Sequence, residues 1–403
     1  MIKKIMFFVL MFMFMYVTTF NIFMSEIFRI PAPIIFLAPL MIFYKDEDVD
    51  FVFGYEAIVF FIATLLYTLL AEQDIASFFA FLIKLACLVM FFNFIIASNI
   101  KRFNLAIYIF ITLLFLSGII MLIDHQFKIA DLRSMLVFTP ITQSPSGISV
   151  TLFIFGYQMA ALTAFLLPFL ILSRKNWLLS LVIMAFAICF IFFGMQRSVL
   201  VSFGLSSLLF ILFYYRAKSV FILGGIVILL FIGQNFSDQF SSDKNQQNIL
   251  NKNVKQTNNN EDRGDLMTEN LKVIADYPFG LIFYNKSWND VVWHNHVYKN
   301  GSVIITSHNA YLMFITYLGP LIGLLLLLLI YWKLTQIVWN SFKNIRQKEN
   351  IMLLALSCSF IAISANSMFH NDWLLSANGP TLILYFSLLH LTKIKTNKPI
   401  INL

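Results

Sequence analysis

Residues 307–332 read SHNAYLMFITYLGPLIGLLLLLLIYW, and the change of character inside that string decides the class of fold. It opens at the end of a polar stretch, Asn235 to Ser307, and passes into an apolar run longer than the about 20 residues that a membrane-spanning helix needs. The rest of the chain repeats the apolar half. Hydrophobic residues make up 60% of the sequence and charged residues 12%, whereas a soluble domain carries about a quarter charged. A soluble globular protein is therefore excluded. The 46 phenylalanines suit lipid-facing and helix-packing surfaces. Cys87, Cys189 and Cys358 all lie in apolar runs, where a thiol is a small core residue and not a disulfide partner or metal ligand.

Working outward from that string, apolar runs occur at roughly 5–24, 30–44, 51–71, 75–98, 104–123, 150–172, 176–195, 198–215, 219–234, 308–332, 351–369 and 373–392. The expected fold is all-α: a polytopic membrane protein of about twelve transmembrane helices, with one long outer loop carrying short helices. The linear division is 1–234 for the first nine spans, 235–307 for the loop, and 308–403 for the last three spans and a tail. The second run is the weakest, broken by Pro31, Pro33 and Pro39. The first resembles a signal sequence behind Lys3 and Lys4, but no small-residue cleavage site follows, so it is expected to remain as a helix.

Orientation follows from the Lys/Arg bias of the connections. With the N-terminus inside, the inner segments carry Lys3, Lys4, Lys45, Lys101, Arg102, Arg174, Lys175, Arg216, Lys218, Lys333, Lys343, Arg346, Lys348, Lys393, Lys395 and Lys398. The short outer segments carry only Arg29, Lys128, Arg133 and Arg197. Both termini are thus expected on the cytoplasmic side, and the net charge of +8 is a topology signal that lends no support to nucleic-acid binding. The long polar stretch falls outside, with Asp124 to Ser149. So do His125, His294, His296, His308 and His370, while His390 approaches the inner side. Glu56 and Lys84 are the chief charges deep in the spans, and are expected to pair with each other.

The outer stretch has two parts. Ser237 to Asn260 is rich in Asn, Gln, Ser and Lys and reads as a linker. From Arg263 the sequence places Met267, Leu271 and Ile274 on one helical face, which Pro278 and Gly280 bring to an end. Tyr284, Trp288, Trp293, His294, His296 and Tyr298 follow. Such rings serve either as interfacial anchors or as stacking surfaces for sugars, and both readings stand. His294 and His296 alone do not specify a metal site, because no third ligand is set by spacing, so none is expected. Arg197 sits where the seventh span meets the eighth, a depth at which a charge faces water or a partner. Its planar fork suits phosphate oxygens, although an interfacial anchor is the plain alternative. His308 has an unperturbed pKa close to operating pH and suits a general base, or it caps its helix.

At these residues the sequence resembles the O-antigen ligase and Wzy-type polymerase superfamily of bacterial envelope enzymes. The resemblance rests on three ordered pieces: Arg197-Ser198 opening a span; the Arg263-led helix ending in Pro278-Phe279-Gly280; and His308-Asn309-Ala310-Tyr311-Leu312 before Gly319 and Gly323. The chain departs from the family pattern at Leu266-Met267, where a tryptophan is common, and at Leu281-Ile282, where a second glycine is common. The resemblance implies a metal-independent, cofactor-free glycosyltransferase of the inner membrane, acting on its periplasmic side with an undecaprenyl-diphosphate-linked glycan as donor. It implies His308 as the base, Arg197 and Arg263 on the diphosphate, Asn309 or Tyr311 in support, and Trp288, Trp293, His294 and His296 as sugar contacts. The acceptor is a second lipid-linked repeat for a polymerase, with a chain-length regulator as partner, or the lipid A-core for a ligase. The motifs do not separate these two.

Two other classes compete. A flippase for the same lipid-linked unit needs charged residues deep in several spans, and this chain keeps its polar residues in one outer loop. A transferase using polyprenyl-monophosphate sugars typically has acidic residues in its first outer loop, where this chain has Glu26 alone.

Overall fold

The computed structural model describes residues 2–22, 24–25, 30–31, 41, 52–144, 146–173, 176–225, 249, 263–300, 303–370, 374–376 and 379–396. The regular structure among them is helical apart from two antiparallel pairings of two residues each, Met24–Ser25 with Ile30–Pro31 and Lys299–Asn300 with Val303–Ile304. Among them, seven helical stretches are long and apolar enough to cross a membrane: Gly54–Ala71, Ile75–Ile96, Ile100–Phe127, Leu152–Ser173, Arg197–Gly225, Ala310–Lys343 and Lys348–Phe369. Trp177–Phe193 is a shorter apolar helix. Most of the expected run 30–44, of 219–234 and of the linker 237–260 lies outside the described residues. The chain forms two compact units: Met1–Leu113 with Asp262–Ile337 and Ser367–Leu403, and Leu114–Glu261 with Val338–Asn366.

In the first unit, α1 (Ile2–Thr19) packs on the last helix, which closes the chain at Gly379–Thr396. α2 (Gly54–Thr64) and α3 (Ile75–Met90) each continue as a π-helical segment, Leu65–Ala71 and Phe91–Ile96. Their wider turns show in bonds from Glu72 N to Tyr67 O and from Ala97 N to Phe92 O, five residues apart. Asn93 holds the entry to α2, accepting from Val52 N at 2.8 Å and donating to Val52 O at 3.0 Å. Around it lies an aromatic cluster in which Phe53 meets Phe386 and Phe60 meets Tyr385 edge-on.

The two deep charges do not pair with each other as expected. Glu56 takes Lys333, at 2.8 Å, and Lys84 donates to Asn21 Oδ1 at 2.7 Å. The reason is helix direction. The chain following Pro320 runs antiparallel to α2, so Lys333 arrives beside the buried start of α2, and its own ammonium stays exposed at the end of a flexible stem.

The second unit is built from α4 (Ile100–Phe127, shared with the first), α5 (Ala130–Val137), α6 (Leu152–Ser173), α7 (Trp177–Phe193), α8 (Arg197–Tyr215) and, later in the chain, Ile351–Asn366. α6 is buried over most of its length and packs on Ile351–Asn366 through small residues. Ala160, Ala161, Ala164, Ser357 and Ser359 let the backbones approach. Hydroxyls then bond carbonyls across the helices: Ser359 to Ala161 O at 2.7 Å and Ser206 to Cys358 O at 2.8 Å. Cys87 and Cys358 are buried, and Cys87, Cys189 and Cys358 form no disulfide. α7 turns Leu178, Leu181, Val182 and Ile188 outward, as a lipid-facing helix does. α8 ends at Tyr215 because Arg216 adopts φ +52, after which residues 219–225 are helical again.

The segment Asp124 to Ser149 closes on Arg133, which is fully buried. Its guanidinium donates to Asp124 Oδ2 at 2.5 Å, to Gly147 O at 2.7 Å and to the hydroxyls of Ser144 and Ser146. Burial pulls its pKa down and Asp124 draws it back up, so the ion is held by a ring of acceptors. Removing one member of such a pair strands the other charge, at about 3–5 kcal/mol. Arg133→Ala should therefore lower the melting temperature of the purified protein sharply. An apolar pair, Arg133→Met with Asp124→Leu, should recover part of the loss, and equal melting of all three forms would refute a structural ion pair here.

Candidate functional site

The candidate residues lie mostly in one unit. α9 (Arg263–Asp276) begins the described part of the outer loop. Periodicity suggested Met267, Leu271 and Ile274 as its packing face, but the buried residues are Leu266, Asn270 and Val273, and Leu271 is exposed. The stripe is displaced because a polar residue is at its centre. Asn270 is fully buried, bonds Thr316 Oγ1 at 2.5 Å and donates to Met313 Sδ at 3.4 Å. A search for apolar periodicity cannot find a face whose central member is an amide.

After α9, Pro278-Phe279-Gly280 turns the chain, and a 3-10 turn (Leu281–Tyr284) leads to α10 (Trp288–Val292). α10 opens with a reciprocal cap in which Ser287 and Asp290 each bond the other's backbone. The bonds from Ser287 hold the Asp290 carboxyl below its ordinary pKa. The bond from Lys272 chiefly, with one from Asn295, does the same for Glu269. Trp288 is buried: its indole N–H donates to Ile305 O at 3.1 Å and its ring meets Tyr298 edge-on at 4.9 Å. Tyr298 in turn donates to Leu266 O at 2.7 Å. Trp288 is therefore part of the loop's own core, whereas Trp293, His294 and His296 are exposed.

α11 (Ala310–Lys343) corrects the expectation of one straight span over 308–332. Tyr311 and Tyr331 bond hydroxyl to hydroxyl at 2.9 Å, yet twenty residues of unbroken helix would separate them by about 30 Å. The chain doubles back at Gly319, whose φ of 78° and ψ of 156° are not helical. Residues 310–318 form a short first limb and 320–343 a second of spanning length. A Cβ on Gly323 would lie 3.0 Å from Ile315 Cα, so the two limbs are in close contact above the tyrosines. Pro320 suits the start of the second limb, where no N–H is needed. Tyr67 packs on Phe314 and Tyr317, with centroids 5.2 and 5.6 Å away, which seats the first limb against the π-helical end of α2.

The loop and this elbow are locked at two glycines. A Cβ on Gly280 would come within 2.2 Å of Gly319 N, and one on Gly319 within 2.4 Å of Phe279 O. Both residues have positive φ, 93° and 78°. The Pro278-Phe279-Gly280 turn is thus laid backbone to backbone on the elbow, and only glycine allows that approach.

His308 and its neighbours precede the first limb. Asn309 is the N-cap: its side-chain oxygen accepts from Leu312 N at 3.0 Å. The Ala310 N–H donates to the carbonyl of His370 at 2.8 Å, so buried His370, which sequence reasoning placed only on the outer side, supports this helix start. His308 is half-buried and lies in the left-handed region at φ +52, which histidine enters more readily than most residues. The neighbouring Thr306 and Ser307 hydroxyls are buried and bond no protein group. Buried polar atoms are normally satisfied, so these are groups that a bound hydroxyl or water would satisfy.

Of the two arginines, Arg263 opens α9 and its side chain lies outside the described residues. Arg197, in the other unit, is exposed and is the first residue of α8. It is placed there by a tight turn: a Cβ on Gly194 would sit 2.6 Å from Phe190 O, and Met195 takes φ +54. A cation at a helix N-terminus opposes the dipole, so helix stability does not account for the placement of Arg197.

Gly280→Ala and Gly319→Ala should each release the loop, at about 1–3 kcal/mol for the backbone conformation alone plus the steric overlap. Hydrogen–deuterium exchange should accelerate across 263–300 in both variants and remain unchanged across α6. Unchanged loop exchange in either variant would show that the glycine contact does not hold the loop.

No curated protein matches the chain. Residues 179–328 match the family model described as O-antigen ligase, a stretch that runs from α7 through Arg197, the outer loop and His308 into the second limb. That stretch holds the ordered motifs at Arg197, Arg263 and His308, and the match supports the resemblance to the O-antigen ligase and Wzy-type polymerase superfamily of membrane enzymes.

Proposed function

We propose that the chain transfers a glycan from an undecaprenyl-diphosphate-linked donor to a sugar hydroxyl on the periplasmic face of the inner membrane, with His308 as general base. The observation that carries this reading is the setting of His308. It stands at the start of the elbow's first limb, in a left-handed conformation, beside two buried hydroxyls with no protein partner, within the stretch matched to the family.

The chemistry follows from the donor. A diphosphate is already a good leaving group, so the reaction needs neither a nucleotide nor a metal. It needs positive charge where the anomeric carbon–oxygen bond breaks and a base for the attacking hydroxyl. Arg197 and Arg263 supply the first, stabilising negative charge as it grows on the diphosphate oxygen. His308 takes the acceptor proton as that oxygen attacks the opposite face of the sugar, and the anomeric centre inverts. Asn309 holds the helix start under the histidine, and Trp293, His294 and His296 offer exposed rings to the glycan. Both termini are cytoplasmic in this reading, about twelve spans cross the bilayer, and the polar stretch 235–307 acts as a lid rather than a separate domain.

The preferred acceptor is a second lipid-linked repeat, making the chain a polymerase that works with a chain-length regulator. The second reading, a ligase acting on the lipid A-core, is favoured by the match to the O-antigen ligase family. Reconstitution with a lipid-diphosphate repeat, with and without a lipid A-core acceptor, separates them. Elongated lipid-linked product supports the polymerase, and transfer to core alone supports the ligase. No transfer to either acceptor, with movement of the intact lipid across the bilayer, would make it a flippase and overturn the proposal.

His308→Ala should reduce transfer by at least about 100-fold, the usual contribution of a general base. Arg197→Ala and Arg263→Ala should each lose most of the activity, and Lys at either position should retain only part, because an ammonium lacks the bidentate fork. Undiminished glycan assembly in cells carrying His308→Ala would remove the histidine from the mechanism.

A further inference from the structure

The loop has an aromatic underside that the chemistry above does not use. Phe279 and Phe283 are 69% and 63% exposed, and Tyr284, packed edge-on against Tyr277, is also exposed. Large exposed apolar patches on a folded surface mark an interaction site. These rings adjoin Leu321, which is 82% exposed on the elbow's second limb. Between them lies a cavity of about 380 Å³ lined by Pro278, Phe279, Phe283, Leu318, Leu321 and Ile322. Its volume is at the small end of the about 300–1,000 Å³ typical of ligand sites, and its lining offers almost no hydrogen-bonding group.

The neighbouring residues indicate what covers it. Leu321 is the first of a stripe, Leu321, Leu324, Leu325, Leu328 and Trp332, all exposed and spaced along one face of a helix. On a limb of spanning length, such a stripe faces hydrocarbon. The Gly280–Gly319 contact fixes the phenylalanines against the head of that stripe within a single unit, so the lipid-facing surface continues from the helix onto the loop.

We propose that Phe279, Phe283 and Tyr284 form a membrane-docking surface. The loop rests on the leaflet on its own side, and acyl chains of that leaflet fill the groove against Leu321. Because the same turn is locked to the elbow, docking also sets the depth of the segment that carries His308. The inference rests on the apolar continuity alone and holds whichever reaction the chain performs.

Spin-label accessibility in liposomes tests it on the full-length chain. In a background with the three native cysteines replaced, labels are placed at Phe283→Cys and, as a second lipid-side position, Phe279→Cys. Asn289→Cys, an exposed residue of α10, is the control. The two phenylalanine sites should be relaxed strongly by oxygen and shielded from a water-soluble nickel chelate, the reverse of Asn289. Nickel access equal to the control would show that the surface faces water. Shielding from both reagents would show that protein covers it. Either result would overturn the proposal, and neither depends on transferase activity.

Discussion

Two glycines without side chains, Gly280 in the loop and Gly319 in the elbow, allow two stretches of backbone to lie against each other. Much of the described site hangs on that approach. It fixes the end of α9 to the point where the chain reverses into its second limb. The buried Asn270 makes a second tie one limb earlier, through Thr316 and Met313. Between these two ties the first limb has little freedom, and the residues that lead into it, Thr306 to Asn309, inherit that rigidity. A histidine in the left-handed region is strained when taken alone. It persists here because the two residues that follow it are committed: Asn309 to the helix cap and Ala310 to the carbonyl of His370.

The same constraint explains why the loop is not simply a polar insertion. Polar residues inside it act as structural members. Trp288 and Tyr298 bury their rings against each other and spend their polar atoms on carbonyls of Ile305 and Leu266. In the membrane-embedded parts, hydroxyls and amides likewise find carbonyls, as Ser359, Ser206 and Asn93 do. In hydrocarbon an unsatisfied polar group costs several kcal/mol. Other buried polar atoms have no protein partner, among them the hydroxyls of Thr306 and Ser307 beside His308 and those of Ser202 and Ser387 within helices. Arg133 shows the opposite strategy: a fully buried cation surrounded by acceptors until little of its bonding capacity is free.

Much of the fold was legible in one dimension because the bilayer imposes a one-dimensional rule. A helix that crosses hydrocarbon must be long and apolar, and the runs near 51–71, 75–98, 104–123, 150–172 and 351–369 correspond closely to helices. Composition alone also excluded a soluble protein. The ordered motifs around Arg197, Arg263 and His308 named a superfamily that the match over 179–328 supports. What those motifs do chemically is a matter for the transferase experiments.

The tertiary structure alone decided the rest, because hydropathy measures what solvent a segment tolerates and not where the chain turns within it. The run 308–332 is apolar throughout, so nothing in its average betrays the reversal at Gly319, which is visible only when Tyr311 meets Tyr331. The packing face of α9 was hidden because Asn270, its centre, is polar and is satisfied by a residue 46 positions away. Glu56 and Lys84 are deep charges in adjacent helices, yet Glu56 finds Lys333, 277 residues on. Sequence determined the solvent and the helical class; long-range contacts determined where the backbone folds back and which polar groups meet, because those depend on partners distant in the chain.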